Sequence, residues 1–71
     1  MTIEEFSQVL RKLREERGWS QEQLAERADL NRSYVGEVER GRAVPSIITV
    51  SKLARALEIQ MSSLIARCEH I

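Results

Sequence analysis

The chain has 71 residues, a single cysteine and eleven basic against eleven acidic side chains, so its formal net charge is zero. A chain of this size is expected to form one domain, residues 1–71, that buries only about 60% of the surface its unfolded form exposes. One cysteine excludes an internal disulfide framework and points to a reducing compartment. Zero net charge removes the support that a basic balance would lend to nucleic-acid binding; any such surface must come from sorting cations onto one face. The opening Met1-Thr2-Ile3-Glu4-Glu5 lacks the basic start and apolar stretch of a signal peptide. No apolar run has the length of a membrane span. A soluble, cytoplasmic protein with no membrane partner is expected.

Helical spacing runs through the sequence, with three glycines, one proline and no alternating strand pattern. A first helix carries Ile3, Phe6, Val9, Leu10 and Leu13 on one face and stops at Gly18, a residue suited to the left-handed conformation that follows many helices. Ser20 and Gln23 make a capping-box pattern for a second helix, with Trp19 placed to staple onto Leu24. Its inner face holds Leu24, Ala25 and Ala28. Asp29, Leu30 and Asn31 form a tight turn. Asn31 is a good N-cap, and Leu30 can staple onto Val35, so a third helix begins at Arg32 and ends at Gly41. After Pro45, Ser46 caps a fourth helix whose inner face is read as Ile47, Val50, Leu53, Ala54 and Leu57. A fifth, from about 61 to 68, places Met61, Leu64, Ile65 and Cys68 at helical spacing. The expected fold class is all-α, a compact five-helix bundle.

Two capped helices joined by so short a turn cannot lie side by side and must cross widely, which makes a helix-turn-helix of residues 21–40. At about 100° per residue, Val35 and Val38 of the third helix point one way, and Arg32, Ser33, Gly36, Glu37 and Arg40 the other. That outer face suits a DNA major groove. Arg32 can take guanine O6 and N7 in a bidentate pair, Ser33 can donate or accept, Gly36 allows close approach, and Glu37 can accept from a cytosine amino group. The same pattern also describes an ordinary solvated helix face.

The stretch SQEQLAERADLNRSYVGEVERGRAVPS, followed by LARAL, resembles the Cro/repressor-type helix-turn-helix family, often called the XRE family, over about residues 7–66. Gln21, Ala25, Glu39-Arg40-Gly41, Pro45-Ser46, Leu53-Ala54 and Ala56-Leu57 coincide with its motif. The resemblance implies a lambda-repressor-like DNA-binding domain with double-stranded DNA as partner. Within the family the chain is similar to restriction–modification controller proteins, short stand-alone dimers whose recognition helix often begins like Arg32-Ser33-Tyr34. By that likeness Arg32, Ser33 and Glu37 face bases, while Gln21, Asn31, Tyr34 and Arg42 hold phosphates or lie near them. Glu37 stands where controllers carry a small residue or Asp. The likeness also pairs Arg14 with Glu39 as a partly buried ion pair. From the residues alone, these two sit at the borders of apolar stripes and also read as unrelated surface charges.

Other side chains point less far. Arg11, Lys12 and Arg17 offer phosphate contacts or simply a solvated face. Trp19 and Phe6 read as core rather than base-stacking platforms. Cys68 and His70 are the only soft ligands, and two do not make a zinc site, so no metal and no cofactor are expected. One histidine without a nucleophile or carboxylate at a recognisable spacing gives no catalytic constellation, so no enzyme is expected. Met61, Leu64 and Ile65 also read as plain core, but because so small a domain has little interior left for a fifth apolar helix they are assigned to a subunit contact. The reading is a homodimeric, sequence-specific transcription regulator on a near-palindromic operator, its half-sites roughly 34–36 Å apart. The alternative is an antitoxin-like protein-interaction module built on the same fold. Salt-dependent binding to duplex DNA separates the two.

Overall fold

The computed structural model describes residues 1–69, and over these the chain forms five helices and no strand. They are α1 (Ile3–Glu16), α2 (Gln21–Ala28), α3 (Arg32–Glu39), α4 (Ile47–Ala56) and α5 (Met61–Arg67). The all-α bundle expected from periodicity is therefore the architecture of the described residues.

Local chemistry fixes where the helices begin. A helix leaves its first amide N–H groups without intrahelical partners, and α1 to α4 each open on a side chain that takes one or two of them. Ser20 Oγ accepts from the Gln23 amide at 3.1 Å and Gln23 Oε1 from the Ser20 amide at 2.8 Å, a complete capping box. Thr2 and Glu5 make a second box on α1, at 3.1 and 2.6 Å. Asn31 Oδ1 accepts from Ser33 and Tyr34, and Ser46 Oγ from Thr49. Helix α5 has no side-chain cap.

The first four helices also end alike. Beyond each, an amide reaches back to a carbonyl five residues earlier: Trp19 to Arg14, Leu30 to Ala25, Arg42 to Glu37 and Ile59 to Ala54, at 2.9–3.2 Å. This closure needs a left-handed residue just before the returning amide. Gly18 and Gly41 supply it at φ +70° and +73°, whereas Asp29 and Glu58 adopt φ 55° and 58° with side chains attached.

The core is drawn from all five helices. Phe6, Leu10 and Leu13 of α1 meet Leu24, Ala25 and Ala28 of α2, Val35 and Val38 of α3, Val50, Leu53 and Ala54 of α4, and Leu57, Leu64 and Cys68. Helix α2 packs on α3 and α4, α1 on α3, and α4 on α5. Trp19 is half-buried, with the Arg27 guanidinium 4.4 Å from its ring centroid and that of Arg17 at 5.8 Å. Burial pushes the Cys68 thiol above its ordinary range, and its Sγ lies 3.3 Å from the Leu64 carbonyl.

Two sequence expectations about packing need correction. Leu64 is fully buried within the chain, as is Cys68, so α5 completes the core and Leu64 has no surface to offer a second subunit. The fifth helix fills an interior that the length argument took to be full. Ile47, assigned to the inner face of α4, is instead 63% exposed. It occupies the first position of α4, past the edge of the core. There it lines a shallow apolar groove of about 380 Å³ with Met1, Ile3, Phe6, Val44 and Ile65. Among the described residues, no helix is long and apolar enough to cross a membrane.

Candidate nucleic-acid interface

Three residues, Asp29, Leu30 and Asn31, separate α2 from α3. The left-handed Asp29 reverses the chain, and Asn31 starts the next helix immediately. The ends of α2 and α3 away from this corner are tied by a buried charge cluster. Arg14 of α1 donates from Nε to Glu39 Oε2 at 2.7 Å and from Nη2 to Glu39 Oε1 at 3.0 Å, a bidentate pair. Its Nη1 donates to the Trp19 carbonyl at 2.6 Å, and Gln21 Nε2 donates to Glu39 Oε1 at 3.1 Å. Four segments, α1, the α1–α2 turn, the start of α2 and the end of α3, thus share one network. The hydrogen bond to Glu39 raises the Arg14 guanidinium still further, so it stays charged. Among the described residues no buried side-chain nitrogen or oxygen lacks a partner. Ser7 adds a further tie, its Oγ lying 2.8 Å from the Val38 carbonyl at the end of α3.

The outward side of α3 carries the residues singled out from the sequence. Arg32 and Ser33 are exposed on its first turn, Glu37 is half-exposed, and Arg40 is exposed at the end. Each of the two arginines is held by a carboxylate. Arg32 Nη1 lies 3.7 Å from Glu22 Oε2, across the corner on α2. Arg40, the C-cap residue of α3, donates from Nε and Nη2 to Glu37 Oε2 at 3.2 and 3.0 Å. Gly36 is not the open backbone that the outer-face reading supposed. It is buried, and a Cβ built there would stand 3.2–3.3 Å from the Arg40 guanidinium and 3.3 Å from Gln21 Oε1. Its lack of a side chain gives Arg40 and Gln21 room to lie across the helix.

The residues assigned to phosphates surround this face. Gln21 is half-buried and spends one amide N–H on Glu39, keeping the second. Asn31 is exposed; its oxygen is committed to the cap, which leaves its NH₂ group as a donor. Tyr34 packs partly against the core, and Arg42 is exposed just past α3. Arg17 is occupied elsewhere: its guanidinium donates to the Leu57 carbonyl at the end of α4 and lies near the Trp19 ring. Arg11 faces Glu15 at 3.5 Å, both exposed. Sequence reasoning missed Glu22, for which only a contact between helices gives a signal. It also left Arg40 unassigned, although its spacing of three from Glu37 allows a pair on one helix face.

No group of three or more His, Cys, Asp or Glu side chains among the described residues is placed to hold a metal ion. His70, weighed from the sequence as a soft ligand beside Cys68, lies outside the described residues. Of the three residues assigned to a subunit contact, Leu64 is core as described above. Met61 is half-buried against the core, and Ile65 is half-buried along the apolar groove. Around that groove Met1, Val44 and Ile47 are 64%, 81% and 63% exposed, and the neighbouring Ile48 is 66% exposed.

The profile of the helix-turn-helix family HTH_3 matches residues 10–64 of this chain. Among solved structures, the restriction–modification controller protein C.AhdI from Aeromonas hydrophila is 48% identical, with a TM-score of 0.84; the match covers 87% of this chain and 94% of that one. The control protein C.BamHI of Bacillus amyloliquefaciens is 36% identical over 61 residues, 84% of this chain and 75% of its own length. The immunity repressor protein of Bacillus phage phi105 is 45% identical over 58 residues, which is 82% of this chain; the match spans only 40% of the phage protein.

Proposed function

This chain belongs to the helix-turn-helix family HTH_3, and from that premise we propose that it is a sequence-specific transcription regulator that places α3 in the major groove of double-stranded DNA. The observation that carries the proposal is the contrast between the two sides of α3. Its inner side is held by Val35, Val38 and the bidentate Arg14–Glu39 pair, while Arg32, Ser33 and Glu37 present polar groups outward. A reading helix gains from such rigid seating, because base contacts are worth most when the donor geometry is set before binding.

In this reading Arg32 takes the O6 and N7 atoms of a guanine, Ser33 donates or accepts at a neighbouring base, and Glu37 accepts from a cytosine amino group. Arg42, the free N–H groups of Gln21 and Asn31, and Tyr34 grip the flanking phosphates. Phosphate contacts set register and base contacts set sequence. The chain works as a homodimer on a near-palindromic site. Met61 and Ile65 contribute to the subunit contact together with the exposed apolar groove beside Ile65. By similarity to C.AhdI and C.BamHI, which cover most of their own length in these matches, a controller role in a restriction–modification system is the specific assignment we favour.

The test begins with selection of a preferred duplex from a random library, followed by titration of that duplex and a scrambled one at several salt concentrations. Arg32→Ala should cost about 1–3 kcal/mol on the selected duplex and relax the preference at one base pair. Arg42→Ala should weaken both duplexes alike and reduce the salt slope by about one unit. Equal losses on both duplexes for Arg32→Ala would show that α3 does not read bases.

A further inference from the structure

We infer that Glu22 is an intramolecular competitor for Arg32, its carboxylate pairing with the guanidinium in the free protein so that DNA must displace it before Arg32 engages. This rests on the reading of α3 as the DNA-contacting helix.

The placement of Arg32 makes it an acceptor of external anions. It is the first residue of α3, and the first turn of that helix holds no acidic side chain. A cation there meets the positive end of the helix dipole and is repelled by it. Arg32 therefore gains nothing from its own helix and turns to a charge outside it. The anion it meets is Glu22, at 3.7 Å, on the second position of α2. Glu22 in turn is favourably placed at the positive end of its own helix, so its position does not depend on Arg32. The two side chains are 69% and 56% exposed, so water screens the pair and leaves it weak enough to exchange. The Glu37–Arg40 pair repeats this arrangement on the same surface.

A phosphate offers Arg32 one more anion of the kind it already has. Exchanging Glu22 for phosphate therefore returns little, and binding to arbitrary DNA is held down. Guanine O6 and N7 add two directed hydrogen bonds, so the same exchange is favourable at the right base. A chain with zero net charge already lacks a general attraction to DNA. Glu22 adds to that condition locally: the cost of leaving it is the same whichever duplex Arg32 moves to, so it lowers affinity at the residue assigned to read sequence without itself discriminating.

The experiment uses Glu22→Gln, Arg32→Ala and the double variant, each titrated against the selected and scrambled duplexes over a range of salt. Glutamine keeps the length and polarity of the side chain and removes only its charge. Glu22→Gln should raise affinity for the selected duplex about two- to fivefold, the scale of an exposed ion pair, and affinity for the scrambled duplex by the same factor or less. It should also steepen the salt dependence on the scrambled duplex by about one unit as Arg32 engages a phosphate. In the Arg32→Ala background both effects should vanish. If they persist there, Glu22 acts by direct repulsion of DNA and the inference is overturned. No gain on the selected duplex would overturn it as well. A wild-type chain that binds all duplexes alike would instead overturn the base-reading role of α3, a separate failure, because the Glu22 competition is still read from the gain and its loss in the Arg32→Ala background.

Discussion

A buried guanidinium is tolerated when its charge is paired and each of its nitrogens has a hydrogen-bond partner. Arg14 meets that condition through Glu39 and the Trp19 carbonyl, and Glu39 through Arg14 and Gln21. The Glu39 side chain is only 2% exposed, so water cannot replace a missing partner. Arg14→Ala and Glu39→Ala should therefore each destabilise the fold by about 3–5 kcal/mol, most of it the cost of the stranded charge. The double variant should lose much less than the sum. Denaturant melts of the four proteins measure this, and simple additivity would mean that the pair is not coupled. The Arg32–Glu22 and Arg40–Glu37 pairs belong to the opposite regime. With about half or more of each side chain in water, they contribute little to stability. One family of interactions thus builds the seat of α3, and the other tunes the surface it presents.

At the scale of elements, the helix ends are where the sequence speaks most directly, because caps are made by residues two to five apart. Ser20 with Gln23, Asn31 and Ser46 announce helix starts that the structure contains, and Gly18 and Gly41 announce two stops. The turn at Asp29–Asn31 is also legible, though not which residue is left-handed, and the stop at Glu58 is silent in composition. Asp29 and Glu58 take the left-handed conformation despite carrying a Cβ, since the surrounding packing fixes the turn. Replacing either by glycine should relieve that strain. Glu58→Gly is the cleaner trial, being exposed and outside the helix-turn-helix of residues 21–40, and should raise stability by about 0.5–1 kcal/mol. A thermal melt that shows Glu58→Gly at or below wild type would contradict this. What periodicity could not convey was depth. It placed Ile47 inside, although the first turn of α4 runs past the core, and it treated Gly36 as open although two long side chains from other positions fold over it. Glu22 was invisible for the same reason: its contact with Arg32 exists only once α2 and α3 have crossed.

For the molecule as a whole, the unresolved balance is between a core that is complete and a surface that is not. Helix α5 was expected to be spare, yet Leu64 and Cys68 close the interior. The surplus apolar area lies beside them. Met1, Val44, Ile47 and Ile48 are each more than 60% exposed, and the groove they flank includes Ile65 and Pro45. Apolar side chains gathered in this way favour association, each gaining from removal of its surface from water. A two-fold contact places the same patch of both copies against each other, and it also fixes the spacing of the two α3 helices on a palindromic site. The proposed dimer makes two substitutions informative together. Ile65→Glu, in the groove on α5, should shift the sedimentation mass toward the monomer, because a charge would be buried in each subunit contact. Leu64→Ala, one residue away in the sequence, should instead unfold the chain more readily by about 2–5 kcal/mol through the cavity it leaves. With Ile65→Glu, the helix content by circular dichroism should be retained while affinity for a palindromic duplex falls steeply and affinity for an isolated half-site stays near wild type. Sedimentation of the wild type as a monomer at high micromolar concentration would remove the dimer from the proposal and leave α5 as core alone.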